Sequence, residues 1–104
     1  MSLKISVYVP CYNAERTIAP CIASLIAQRR KPDEILVVDD GSTDRSLDIA
    51  KRFPGIKIVQ HTKNKGLATA RNSGIRFSKG DLVASIDSDC AADPLWLEIL
   101  AAEM

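Results

Sequence analysis

Glu34-Ile35-Leu36-Val37-Val38-Asp39-Asp40-Gly41-Ser42-Thr43-Asp44 is the stretch that decides the fold. Glu34 to Val38 is a short, nearly continuous apolar run, the pattern of a strand buried on both faces by flanking helices. It stops at two adjacent carboxylates and a glycine. Ser42 or Thr43 can then cap a helix whose apolar positions are Leu47, Ile49, Ala50 and Phe53, and Pro54-Gly55 ends that helix.

The same alternation extends in both directions. Upstream, Leu3 to Val9 is β-rich and is expected to stop at Pro10, which cannot continue a central strand. Pro10 to Asn13 reads as a loop. From a candidate cap at Thr17, Ile18, Ile22, Leu25 and Ile26 fall at i, i+4, i+7 and i+8, one stripe of a helix; Pro20 is tolerated in its first turn. Lys31-Pro32-Asp33 ends it. Downstream, Ile56 to Val59 is a more exposed strand, nearer an edge. Asn64-Lys65-Gly66 is a turn, and Leu67 to Phe77 a helix in which Ala70 and Gly74 form a small-residue strip suited to close packing on a sheet. Asp81 to Ile86 is a fourth strand. Asp93, with Pro94 behind it, starts a last helix carrying Trp96, Leu97 and Leu100.

Strand and helix in this alternation imply the α/β class: a doubly wound sheet of four mostly parallel strands, expected order 3-2-1-4, with helices on both faces. In such sheets ligands bind beyond the carboxyl ends of the strands. Three polar segments fall at that edge: Pro10 to Asn13, Asp39 to Thr43, and Asp87-Ser88-Asp89. Their coincidence is the evidence for one composite site.

Composition narrows the function classes. The chain has 104 residues, enough for a single domain with a modest core, and its mixed charges and ordinary apolar content argue against disorder. A net charge of +1 gives no reason to expect nucleic-acid binding, and Arg29-Arg30-Lys31 reads as a solvated helix end. Three cysteines (Cys11, Cys21 and Cys90) without a Cys-x-x-Cys spacing fit neither a disulfide framework nor a zinc site, and are expected to serve packing in a reducing compartment. No apolar run approaches a membrane span. Neither a Gly-x-Gly-x-x-Gly turn nor a phosphate loop is present.

Each polar segment has a chemistry and a plainer alternative. If Asp87 and Asp89 continue the extended backbone, they share one face and offer two hard oxygen donors to a divalent cation, although an Asp-x-Asp also serves turns and caps. Asp39 and Asp40 repel each other unless something positive or hydrogen-bonding meets them; one can accept from a ligand N–H and the other can serve the turn. Arg71 can neutralise a diphosphate or stand as a surface arginine. Tyr12 can pack on a planar base. His61 is expected to be a solvated loop residue.

Four motifs in order, VYVPCYNAERTI (7–18), EILVVDDGSTD (34–44), NKGLATARNSGI (64–75) and KGDLVASIDSD (79–89), resemble the N-terminal half of a family-2 glycosyltransferase of the GT-A fold. The resemblance implies a Rossmann-like domain over residues 1–104. Such a domain binds a nucleotide-diphosphate sugar, commonly a uridine one, for inverting transfer to an acceptor hydroxyl. It places Pro10, Tyr12, Asn13 and Asp40 at the nucleoside, with Asp40 accepting from a base N–H and Asp39 supporting that loop. Arg71 would lie near the nucleotide, and Asp87 and Asp89 would hold the ribose and a Mg²⁺ or Mn²⁺, with Asp89 the direct ligand. Cys90 stands where many members carry a further acidic residue. The family's general base and acceptor-binding half would lie past Met104, so no catalytic base is expected in this chain, and Asp93 is read as a helix cap.

Alternatives of other classes are a non-catalytic domain that self-associates through Trp96, Leu97 and Leu100, and a receiver-like signalling domain. The expected location is cytoplasmic, peripheral to the inner face of a membrane in a full-length form.

Overall fold

The run at the centre of the sequence is the second strand of a parallel sheet. In the computed structural model, which describes residues 3–103, the chain alternates strand and helix throughout. The elements are β1 (Ile5–Cys11), α1 (Ile18–Ile26), β2 (Glu34–Asp40), α2 (Ser46–Lys51), β3 (Lys57–His61), α3 (Leu67–Phe77), β4 (Leu82–Ser85) and α4 (Trp96–Ala102). The sheet order is β3-β2-β1-β4, with every pairing parallel. This is the expected doubly wound arrangement.

Register decides which side chain meets which layer. Val7 lies beside Ile35 and Ala84, and Val9 beside Val37. With Ile5 and Cys11 they form the core face, packed against Ile18, Cys21, Ile22 and Leu25 of α1, Ala50 of α2 and Leu97 of α4. The alternate residues, Tyr8, Leu36, Val38 and Asp40, point the other way, toward α3, which packs on β1 and β2. Ala70 and Gly74 are both buried there, so the small-residue strip of α3 is the part that meets the sheet.

Several boundaries differ from expectation for identifiable reasons. β1 runs through Pro10 to Cys11 although it is a central strand. Pro10 shares its hydrogen-bonding side with Tyr8, whose carbonyl accepts from Ile86 N–H as β4 ends. The missing proline donor therefore faces a region beyond the last residue of β4, and costs the ladder nothing. α2 starts at Ser46, not after Ser42 or Thr43. Asp44 is the residue that holds the turn before it, accepting from both the N–H and the hydroxyl of Ser46 at 2.9 and 2.6 Å. The expected apolar patch on α4 is also corrected. Leu97 is fully buried, and Trp96 and Leu100 pack partly buried on the core, leaving Leu95 and Ile99 as the exposed apolar side chains of that segment.

Gln28 explains the docking of α4. Its side chain is buried; Nε2 donates to the carbonyls of Ser24 and Asp93, while Oε1 accepts from Leu97 N–H at 2.9 Å. One amide thus ties the end of α1 to an otherwise orphan donor in the first turn of α4. The sequence predicts Asp93 as the cap of this helix with Pro94 at its first position, but α4 begins at Trp96; Asp93 Oδ1 instead accepts from Leu95 N–H and holds the turn before it.

Candidate functional site

All three polar segments meet at the carboxyl edge of the sheet, around an open cavity of about 630 Å³. Its walls include Pro10, Tyr12, Asn13, Asp40, Arg71, Asp87 and Asp89. Asp39 is the one expected site residue that does not reach it.

The two adjacent carboxylates of β2 diverge because strand neighbours face opposite ways. Asp39 turns to the core face, where it is 1% exposed; Oδ2 accepts from Ser42 N–H at 3.2 Å. Asp40 turns to the α3 face and is 3% exposed. Its Oδ1 accepts from His61 Nδ1–H at 2.7 Å and Lys65 N–H at 3.0 Å, and Oδ2 accepts from Gly66 N–H at 2.9 Å. Burial acts to raise the Asp40 pKa, but these hydrogen bonds outweigh it and hold the carboxyl below the ordinary carboxylate range. The site therefore contains a buried anion braced by the loop that leads into α3.

His61 is the main correction. It is the last residue of β3, only 9% exposed, and its Nε2 lies 2.8 Å from Ser73 Oγ on α3. A polar neighbourhood in sequence concealed a strand end covered by a helix.

Asn13 holds the opposite wall. It adopts a left-handed backbone with φ of 48°, which asparagine tolerates. Its Oδ1 accepts from Thr43 N–H at 2.8 Å and Asp44 N–H at 3.3 Å, while its own N–H donates to Ser42 Oγ. The side-chain oxygen is thus used to join the first loop to the second. Gly41 lets a third segment approach the second loop: at φ of 72°, an added Cβ would meet Asn64 N, in the connection between β3 and α3, at 2.5 Å.

Asp87 and Asp89 follow β4 but do not extend it. The strand ends at Ser85, and Cys90 N–H donates to Asp87 C=O at 3.0 Å, so the pair sits in a turn. The turn, not an extended pleat, gathers them. Asp87, Asp89 and Cys90 each bring one donor atom within 4.8 Å of the others, all three residues being exposed. Two solvent-facing carboxylates fit a hard divalent cation that keeps several waters; the thiol of Cys90 is a softer donor. Cys90 is therefore at the site rim, while Cys11 and Cys21 are buried as expected. Arg71 reaches across from α3, its Nη2 4.0 Å from Asp87 Oδ1, both side chains half-exposed or more. Tyr12 is 48% exposed at the mouth.

Sequence reading missed Leu67, Asn64 and Thr17, which also line the cavity. Leu67 carried a usable signal: it is apolar at the first position of a helix, directly after the Gly66 that braces Asp40, and it is left 54% exposed.

Residues 6–104 match Glycosyl transferase family 2. The chain belongs to that family. This glycosyltransferase-family chain is 40% identical over 101 residues to an uncharacterised glycosyltransferase, YibD, of Escherichia coli, covering 93% of this chain and 29% of that protein. It is 39% identical to the poly(ribitol-phosphate) beta-glucosyltransferase of Bacillus spizizenii, covering 84% of this chain and 15% of that one. Among solved structures, S. aureus TarS 1–349 in complex with UDP-GlcNAc superposes with a TM-score of 0.86 at 35% identity, covering 95% of this chain and 30% of TarS. Glucosyl-3-phosphoglycerate synthase of Mycobacterium tuberculosis, solved with Mn²⁺, UDP and phosphoglyceric acid, superposes with a TM-score of 0.83 at 30% identity, covering 97% of this chain and 38% of that one. The sheet is thus the Rossmann-like part of a GT-A fold, not that of a signalling receiver. The chain spans less than a third of the length of both curated relatives.

Proposed function

We propose that this chain is the donor-binding domain of an inverting glycosyltransferase. In this reading it holds a uridine-diphosphate sugar with a divalent cation for transfer to an acceptor hydroxyl. The observation that carries the reading is the convergence of Tyr12, Asp40, Arg71, Asp87 and Asp89 on one cavity. At about 630 Å³ it has the size of a small-ligand site.

Each group has a task matched to its chemistry. Tyr12 offers an exposed ring for the flat base. Asp40 is an acceptor only, and a carboxylate has about four lone-pair sites; three are filled, which leaves one for a base N–H. Arg71 is a permanent cation with a planar fork suited to phosphate oxygens. Asp87 and Asp89 would hold the cation, which when bound supplies Lewis-acid stabilisation of charge on the departing diphosphate. The UDP, UDP-GlcNAc and Mn²⁺ in the related structures support this assignment.

Transfer to a hydroxyl also needs a base. Among the described residues, Asp40, Asp87 and Asp89 are the only carboxylates lining the cavity, and each is assigned above. As the family resemblance implies, this reading assigns the base to an acceptor-binding part beyond these residues; the chain spans 29% and 15% of the two curated relatives. The free cysteines support a reducing, cytoplasmic setting.

Calorimetry on the full chain tests the reading. UDP is expected to bind in the presence of Mn²⁺ and much more weakly in chelator. A folded chain that gives no heat with Mn²⁺ and UDP would sink it.

A further inference from the structure

We propose that His61 and Ser73 are positioning residues for the nucleoside end of the cavity: they hold Asp40 so that a single acceptor site is left for a base N–H. The inference rests on the donor-binding reading and goes beyond it, since neither residue lines the cavity.

The three residues come from three elements. Asp40 ends β2, His61 ends β3, and Ser73 sits in the middle of α3. His61 Nδ1 is 2.7 Å from Asp40 Oδ1, and Nε2 is 2.8 Å from Ser73 Oγ. An ionised carboxylate can only accept, so Nδ1 carries the proton; in the neutral ring Nε2 is then an acceptor, and the Ser73 hydroxyl donates to it. Free imidazole side chains favour the other tautomer, with the proton on Nε2, so the two partners together impose the less common one.

The consequence falls on Asp40. Oδ1 is filled by His61 and Lys65 N–H, and Oδ2 holds Gly66 N–H with one site open. Remove His61 and a second site opens on Oδ1, with nothing to stop the carboxylate turning about its last bond. The open site then has no fixed direction, and a ligand N–H must order the group on binding. Ser73 acts one step further out, by keeping the ring in the donor orientation. The order Asp-His-Ser is that of a hydrolytic triad, but Ser73 does not line the cavity, which leaves its hydroxyl no substrate there.

The test uses the full 104-residue chain, binding uridine and, separately, Mn²⁺ with UDP. His61→Leu is expected to weaken both ligands by the same factor, about tenfold, the loss of one charge-assisted positioning bond. His61→Asn, whose amide can donate from nearly the Nδ1 position, is expected to restore most of it, and Ser73→Ala to give an intermediate loss. A role in folding alone would not be restored selectively, nor would it spare the melting temperature of Ser73→Ala. Because His61 is the only histidine, long-range ¹H–¹⁵N NMR of the unaltered chain reports one imidazole, expected with Nδ1 protonated. That measurement stands whether or not His61→Leu folds. An Nδ1 without a proton, a loss confined to UDP, or His61→Asn as weak as His61→Leu would overturn the assignment. An unaltered chain that binds neither ligand overturns the donor reading, and this with it. Binding that His61→Leu leaves unchanged overturns this assignment alone.

Discussion

The ring of Tyr8 occupies the space that a side chain on Gly74 would need. A Cβ built on Gly74 would lie 2.7 Å from Cε1 of Tyr8 and closer still to Cγ and Cδ1. Tyr8 is 6% exposed and belongs to the central strand, so its ring has little freedom to retreat. Gly74 is thus a glycine for its missing methyl group, not for its backbone angles. Gly74→Ala should gain helix propensity yet destabilise the chain by about 1–3 kcal/mol through overpacking. Urea unfolding checks the sign, and Gly74→Ala made in a Tyr8→Val background should lose much of the penalty. Equal penalties in both backgrounds would disprove the contact as its cause.

How much of this was legible in the sequence varies by residue. The buried strand from Glu34 to Val38 and the limits of α3 were, because an apolar run and a small-residue strip are local signals, although β2 runs two residues further, through Asp40. Asp39 and Asp40 were separable in kind, but which one faces which layer depends on the strand register. His61 was not legible: nothing beside it in the chain predicts that Asp40 and Ser73 will close around it from 21 and 12 residues away. The Asp87–Asp89 pair was found for a partly wrong reason. A strand pleat and a tight turn can both bring i and i+2 carboxylates together, and the turn is what the chain uses.

The braced carboxylates predict an acid-sensitive fold. Asp40 and Asp44 are held below their ordinary range although burial opposes it, because hydrogen bonds from His61, Lys65 and Gly66, and from Ser46, outweigh burial. A lowered folded-state pKa means the unfolded chain takes up protons first as pH falls. Their contribution is therefore fully present above the unfolded carboxylate pKa of about 3.9, and is lost as pH drops through the lower folded value. Asp40→Asn should cost about 1–3 kcal/mol at neutral pH and make the acid limb of the stability profile shallower. An unchanged slope below about pH 4 would count against Asp40 as its source.

The three cysteines should separate by reactivity. Burial pushes the thiol of Cys11 up to about 11 and that of Cys21 up to about 12, while Cys90 is exposed. The thiolate is the reactive form, so the buried pair is inert in the native state on two counts. Brief alkylation at pH 8 followed by mass spectrometry should label Cys90 alone, and all three after denaturation. Native labelling of Cys21 would mean that α1 leaves the sheet readily.

Gln28 should matter more than its polar character suggests. Replacing it with Ala leaves Leu97 N–H, in a fully buried residue, without its acceptor, and frees the carbonyl of Asp93. The expected cost is about 1–3 kcal/mol, with faster amide hydrogen exchange concentrated in α4. Exchange that rises evenly across the chain would argue against local undocking.

Stability and ligand binding should come apart at the turn after β4. Asp87 and Asp89 are exposed, and the 4.0 Å contact between Arg71 and Asp87 is a surface pair, of a kind worth about 0–1 kcal/mol. Asp87→Ala and Asp89→Ala should therefore leave urea stability within about 0.5 kcal/mol of the unaltered chain, while strongly reducing the Mn²⁺-dependent part of UDP binding. Removing like charge from the turn relieves repulsion at low salt, so the comparison belongs at moderate ionic strength. Calorimetry with and without chelator reads the second half. If both variants keep the metal dependence of the parent, the cation is held elsewhere and Asp87-Ser88-Asp89 is only a turn.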